Sequence, residues 1–409
     1  MDLATRRLIP SRPQGALPER GAGAEAAVAD YLERFGAFHT RSTGPRYFGF
    51  VTGGVAPAAL AADWLVSTFD QNVATERHSI AAGIEAQAIH WMTELLELPA
   101  DRHDGLFTTG ATGANLACLA TAREWAGERA GVDVADDGVP GGGAIRLVGC
   151  CPHSSVVKVA GILGIGRRRI ERAASLPGRE AIDPDALDAM LAAFPDRAAT
   201  VCASAGTVDT GDFDDLAALA SICSDQGAWL HVDAAFGAFL RTDPERRALV
   251  AGLELADSLA VDCHKWLNVP YDCGLALTRS VRLNERAFTA DAPYVPGGWV
   301  APDCMNRGLE QARRFRALPV WMALAAAGRS GVADAVRRNC DFARELGREL
   351  ERSGRFRLVA PVRANVACFR PLRADGLEAP DATGAADVPV VLDALLDAHA
   401  CTVEASTDG

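Results

Sequence analysis

Residues 258–267 read Ser-Leu-Ala-Val-Asp-Cys-His-Lys-Trp-Leu. A short apolar run, Ser258–Asp262, ends in an acid, and His264 and Lys265 follow at once. A run of that length with polar ends predicts a buried strand. Upstream, Ala228–Asp233 ends the same way and continues into Ala234-Ala235. Ile145–Cys150, Thr200–Ser204 and Gly274–Thr278 predict further strands. Helices are predicted over Gly113–Arg129 and Ser154–Leu163. Another opens at Asp183-Pro184, a good cap and first-turn pair, and runs to Phe194. Asp212 is expected to cap a helix that Gly227 stops after Gln226. Such alternation means an α/β protein with a large, mostly parallel sheet covered by helices.

Outside this block the chain changes character. Residues 1 to about 60 are Gly/Pro-rich, with a helical stretch near Ala26–Phe35, and Ala58–Leu98 reads as helical. After Arg313 the pattern is helical again, Val320–Gly328 and then Val332–Glu351. Phe356–Val359 and Ala364–Phe369 predict strands of a smaller α+β domain, and 373–387 a polar loop. The expected division is an N-terminal segment over 1–60, a large domain over 61–312 and a small C-terminal domain over 313–409.

The 409 residues are 49% hydrophobic and carry a net charge of -12, which argues against a partner held by nucleic-acid phosphates. No apolar run is long enough to span a bilayer and no basic cluster resembles a membrane anchor. No signal-peptide pattern opens the chain. The 11 cysteines are scattered without CxxC spacing, so neither a disulfide framework nor a metal knuckle is expected, and a reducing cytoplasm fits. The adjacent Cys150 and Cys151, followed by Pro152-His153, are expected to point in different directions and to hold no metal. Of 41 basic residues, only Lys158 and Lys265 are lysines. Arginine cannot replace an amine, because it stays protonated and forms no imines.

Ligands of an open α/β sheet sit beyond the carboxyl ends of its strands. That rule selects four places. Thr108–Asn115, rich in small residues before a helix, suits a phosphate, or is a plain turn. Asp233 suits a pyridinium nitrogen, or caps a helix. Lys265 suits condensation with an aldehyde, since an amine in a partly dry site loses its proton more readily; otherwise it is a surface lysine. His153, between a strand and a helix, suits stacking on an aromatic ring, or is structural.

Together, the HVDAA and DCHKW motifs with LNVPYDCG, PHSSVVKVAG and TTGATGANLACLATARE resemble the group II pyridoxal-phosphate (PLP) decarboxylases, which act on aromatic amino acids, glutamate, histidine or diaminobutyrate. GPRYFGFVTGG, ADWLVSTFDQN and ARRFRALPVWMAL extend the resemblance from about residue 38 to at least 350. It implies a fold-type I, aspartate-aminotransferase-like homodimer with active sites at the subunit interface. It implies that Lys265 is the Schiff-base lysine, that Asp233 partners the pyridine nitrogen and that His153 stacks on the ring. It places Ala111 and Thr112 at the phosphate, Thr207 and Ala235 beside the cofactor, and Asp262 and His264 around the lysine. Phe50 and Val51 match positions lining the substrate pocket.

The expected reaction is decarboxylation of an L-amino acid to its amine and CO2. Alternatives are transamination or oxidative deamination on the same fold, or a catalytically impaired relative. Two departures bear on this. Relatives carry a loop tyrosine that protonates the carbanion, whereas Val295–Ala312 has none; Tyr294, His264 or water would have to serve. The chain ends at Gly409 where relatives continue, so either a shortened small domain or a truncated reading frame is expected.

Overall fold

The computed structural model describes residues 15–44, 47–74, 79–141, 145–194, 198–290 and 304–372. Two compact units are present, one ending at Gly54 and the other beginning at Val55. In the first, Ala24–Phe35 is a helix. The Tyr31 hydroxyl lies 2.9 Å from His39 Nε2.

The second unit is built on seven strands: β1 (Asp104–Thr108), β2 (Ile145–Gly149), β3 (Ile170–Arg172), β4 (Ala198–Ser204), β5 (Trp229–Asp233), β6 (Ser258–Asp262) and β7 (Gly274–Thr278). Their order is β1-β7-β6-β5-β4-β2-β3. The pairs from β3 to β6 are parallel, and β7 runs antiparallel to both neighbours, β6 and β1. Every strand except β7 therefore ends at the same edge. β2, β4, β5, β6 and β7 match the expected strands to within two residues at either end. β1 and β3 were not anticipated.

The Ala111–Ala130 helix is packed on nearly all sides. Ala114, Ala117 and Cys118 meet Leu106, Ala260 and Ala276 on the sheet. Leu119 and Ala120 meet Leu147, Val156, Val159 and Cys202. Its alanines bring the helix axis close to the strands, and close packing is what gives small side chains their contribution. Glycine serves the same purpose at Gly274, where a Cβ would stand 2.4 Å from the Gly110 carbonyl carbon.

Two local expectations need correction, the cap at Asp212 and the last strand. Asp212 does not cap the Leu216–Gln226 helix; Asp215 does, accepting from Ala218 N. Asp212 instead takes Arg179 at 2.7 Å and Arg363 at 3.3 Å, because it lies on the turn that crosses those arginines. The two expected C-terminal helices are present within Ala317–Arg352, which is broken by a kink at Gly328, whose φ is 62° and ψ 177°. The last strand is β9 (Phe369–Pro371), paired antiparallel with β8 (Phe356–Leu358), rather than Ala364–Phe369. Phe356 and Phe369 pack edge to face across that pair at 5.4 Å. The expected 373–387 loop lies outside the described residues.

Candidate active site

Five chain reversals collect at the shared edge, after β1, β2, β4, β5 and β6. Each continues a buried strand, so its position is fixed by the sheet. The β6 reversal carries Asp262, His264 and Lys265, the last two on the single-turn Cys263–Trp266 helix. Lys265 Nζ lies 3.1 Å from Asp262 Oδ2, and it stands 5.7 Å from the centre of the Phe236 ring. The Lys265 side chain is 18% exposed, enough to be reached from the crevice. Asp262 Oδ1 accepts from Ala111 N at 2.5 Å, so one carboxylate joins the amine to the start of the Ala111–Ala130 helix. His264 Nε2 lies 3.6 Å from the same oxygen, and its ring sits 4.5 Å from that of Tyr271. Burial pushes the His264 pKa down from its ordinary value.

The turn after β1 has no capping side chain, since its cap residue is Gly110. Gly110 takes a φ of +128°, and a Cβ there would come within 3.1 Å of His264 Cε1. Ala111 is half-buried and Thr112 exposed. An open helix start with a glycine at its mouth is a ready anion site.

Asp233, at the end of β5, is 8% exposed. Its Oδ1 accepts from Ala235 N at 3.2 Å and its Oδ2 from Asn115 Nδ2 at 3.0 Å. Asn115 is fully buried, and its hydrogen bonds order a longer chain. Its Oδ1 can only accept, so His231 Nε2, 2.9 Å away, carries a proton. Burial holds the His231 pKa down at about 4, so the ring is neutral and its Nδ1 accepts from Ser258 Oγ at 3.0 Å. Trp229 Nε1 donates to that hydroxyl at 2.9 Å. On the other side Asn115 Nδ2 donates to Ser155 Oγ at 3.0 Å, which lies 2.7 Å from His153 Nδ1. Ser155 N also donates to His153 Nδ1, so this nitrogen is an acceptor and the proton sits on Nε2. All donors in this chain point consistently toward Asp233 or His153.

Thr207 follows β4. It donates to Glu180 and accepts from Asp212 N at 3.0 Å. Asp214, beside it, is almost fully buried and pushed up to about 6. Ala235 O accepts from Asp262 N at 2.9 Å, which ties the β5 reversal to the β6 reversal.

The structure thus brings Lys265, Asp262, His264 and Ala111 together, and joins Asp233, Ala235 and His153 through buried polar groups. Phe50 and Val51 belong to the first unit, on a tight turn where both take positive φ, 58° and 57°. Tyr294 and 295–303 lie outside the described residues. The neighbouring Asn306 and Arg307 are buried, with Asn306 accepting from Ala290 N and Arg307 held by Asp104 at 2.7 Å. Asn115, Ser155, His231 and Ser258 had no assigned part in the sequence reading. The signal they offered was a polar residue inside an otherwise apolar strand or helix.

Residues 8–372 match the model of the pyridoxal-dependent decarboxylase conserved domain. The chain belongs to that family. It is 30% identical over 339 residues to an aromatic-L-amino-acid decarboxylase of Bacillus atrophaeus, covering 80% of this chain and 67% of that protein. It is 32% identical over 374 residues to an L-2,4-diaminobutyrate decarboxylase of Rhizobium meliloti (strain 1021), covering 90% and 73%. Its fold is that of Catharanthus roseus tryptophan decarboxylase solved with L-tryptophan, with a TM-score of 0.83, 23% identity and coverage of 99% and 84%. The fold-type I architecture, the pyridoxal phosphate cofactor and the carboxy-lyase class all stand as the sequence led us to expect.

The residues present fit the cofactor. A helix start whose cap residue is a glycine suits its phosphate, a reachable amine suits its aldehyde, and a nearly buried carboxylate at the next strand end suits its ring nitrogen.

Proposed function

We propose that this sheet edge directs the decarboxylation of an L-amino acid, with Lys265 binding the cofactor and Asp233 facing its ring nitrogen. The observation that carries this is Asp262, whose two oxygens touch the Lys265 amine and the Ala111 N–H, placing amine and anion site side by side. Bound pyridoxal phosphate supplies an aldehyde for the substrate amine and a ring that accepts the electrons of the breaking Cα–carboxylate bond.

The chain's own groups do the rest. The negative charge of Asp233 favours a proton on the ring nitrogen, and Asn115 and Ala235 N–H hold that carboxylate in place. Thr112 offers its backbone N–H to the phosphate, beside Ala111, whose own N–H is held by Asp262. His153 presents its ring to the cofactor, with Nδ1 tied to Ser155 and the Nε2 proton free for the substrate side. Thr207 and Ala235 line the cofactor. Lys265, displaced by the substrate amine, stays beside Asp262 and returns to release the product. His264, next to Lys265, is the acid we assign to protonating the substrate carbon.

We further propose a cytoplasmic homodimer. None of the ten described cysteines is in a disulfide, as in a reducing compartment. No helix among the described residues is long and apolar enough to cross a membrane. The Pro57–Phe69 helix exposes Leu60, Trp64, Leu65 and Phe69, an apolar face suited to a second copy.

The test is CO2 release when the protein, loaded with pyridoxal phosphate, meets each standard L-amino acid and L-2,4-diaminobutyrate in turn. Release with one group of substrates is expected. Turnover without CO2 would overturn the reading.

A further inference from the structure

The adjacent Cys150 and Cys151 take no part in the chemistry above. The sequence predicts side chains pointing apart; the structure corrects this, with the two Sγ atoms 3.4 Å from each other. The pair begins the reversal after β2. Its backbone is held on both sides: Cys150 O accepts from Arg172 Nη1 at 2.6 Å, and Gly149 O from Ala173 N at 3.1 Å. Cys150 is buried and Cys151 exposed. One sulfur is therefore reachable from solvent, and the other stands behind it.

A direct disulfide suits this pair poorly. An S–S bond needs about 2.0 Å and Cα atoms usually more than about 4.4 Å apart, whereas neighbouring Cα atoms stand about 3.8 Å apart. A single soft atom bonded to both sulfurs suits it well. Two bonds of about 2.3 Å, the length seen for zinc–thiolate, span about 3.3 Å when they meet near a right angle. That pyramidal angle is characteristic of trivalent arsenic and antimony, whereas tetrahedral zinc needs four ligands. Among the described residues no group of three or more His, Cys, Asp or Glu is gathered to supply them.

We propose that Cys150 and Cys151 form a dithiol site for a thiophilic trivalent metalloid. The reaction is a condensation without redox change. With an arsenoxide, R–As=O, both S–H bonds and the arsenic–oxygen double bond break, two As–S bonds form, and the oxygen leaves with the two protons as one water. Cys151 reacts first because it is exposed, and Cys150 closes the ring. Burial pushes the Cys150 pKa up to about 12, and that is no obstacle when the departing oxygen takes the proton.

Phenylarsine oxide tests this on the intact, cofactor-loaded protein. The expected result is one phenylarsenic group per chain, located on the peptide holding Cys150 and Cys151. It should resist a monothiol and leave with a dithiol. Cys151→Ser should lose that adduct while keeping the wild-type melting temperature. Cys150→Ser should lose it too. Cys263 and Cys273 also lie close together but are both buried, so an adduct found there instead would overturn the proposal. So would an adduct that a monothiol removes, or one that survives in Cys151→Ser.

Discussion

Asn115 Nδ2 donates to Asp233 Oδ2 across 3.0 Å, from the first turns of a buried helix to the end of the neighbouring strand β5. The bond fixes the carboxylate that we assign to the cofactor ring, and its strength depends on a fully buried donor. Two substitutions separate charge from placement. Asp233→Asn removes the charge and nearly preserves shape; turnover should fall about a thousandfold, as for loss of one preorganised electrostatic partner. Asn115→Leu keeps the charge and loses the placement. It should slow turnover about tenfold and cost about 1–3 kcal/mol of stability through the partners left unpaired. Equal losses from both variants in kcat would contradict the separate roles.

The helix start at Gly110 gives a second prediction. With φ at +128° and His264 Cε1 3.1 Å from any added Cβ, Gly110→Ala combines backbone strain with crowding of the lysine's neighbour. Cofactor affinity should drop at least about tenfold, with secondary structure unchanged. Titration of the apoprotein with pyridoxal phosphate, followed by absorbance, measures this. Unaltered affinity would show that the phosphate sits elsewhere.

Much of this site was legible because strand ends are where sequence pattern and function coincide. The apolar run Ser258–Asp262 is buried throughout, and the residues to which we assign chemistry stand at its end or just beyond it. The same held at Asp233. β1 escaped notice because Asp104–Thr108 is five residues with a glycine that cannot bear a side chain, a Cβ at Gly105 standing 1.8 Å from Ala276 O. The Asp212 cap was misplaced because an acid before a helix reads the same whether it binds backbone N–H groups or arginines far along the chain, here Arg179 and Arg363. The Asn115–His231–Ser258 chain joins residues 116 and 27 positions apart, and no local spacing encodes that.

His231 gives a prediction for acid. Complete burial pushes its pKa down to about 4 from 6.5. Between those values the unfolded chain binds a proton that the folded chain refuses, so this group's contribution to stability is lost as pH falls through that window. Asp214, raised to about 6 from 3.8 by burial, acts in the opposite sense, adding stability as pH falls from about 6 toward 3.8. The net slope mixes the two, so the ring itself should be observed. Nitrogen NMR of labelled imidazoles at pH 5 should find His231 neutral with the proton on Nε2. A charged His231 at that pH would contradict the hydrogen-bond order that ends on Asp233.

The exposed face of the Pro57–Phe69 helix predicts assembly. Trp64 is 64% and Phe69 61% exposed, an unusual cost for aromatic rings facing water. Light scattering at micromolar concentration should give about twice the chain mass of 43.0 kDa. Trp64→Arg should shift the protein toward monomer without unfolding it. A wild-type monomer with full activity would remove the homodimer from the account.

The central claim is that Lys265 carries the cofactor. Only one other lysine, Lys158, exists in the chain, so the alternatives are few. The direct measurement is borohydride reduction of the cofactor-loaded protein, followed by peptide mapping. The account predicts the pyridoxyl group on the peptide containing Lys265, and no such label in Lys265→Ala. Label on Lys158 would contradict it.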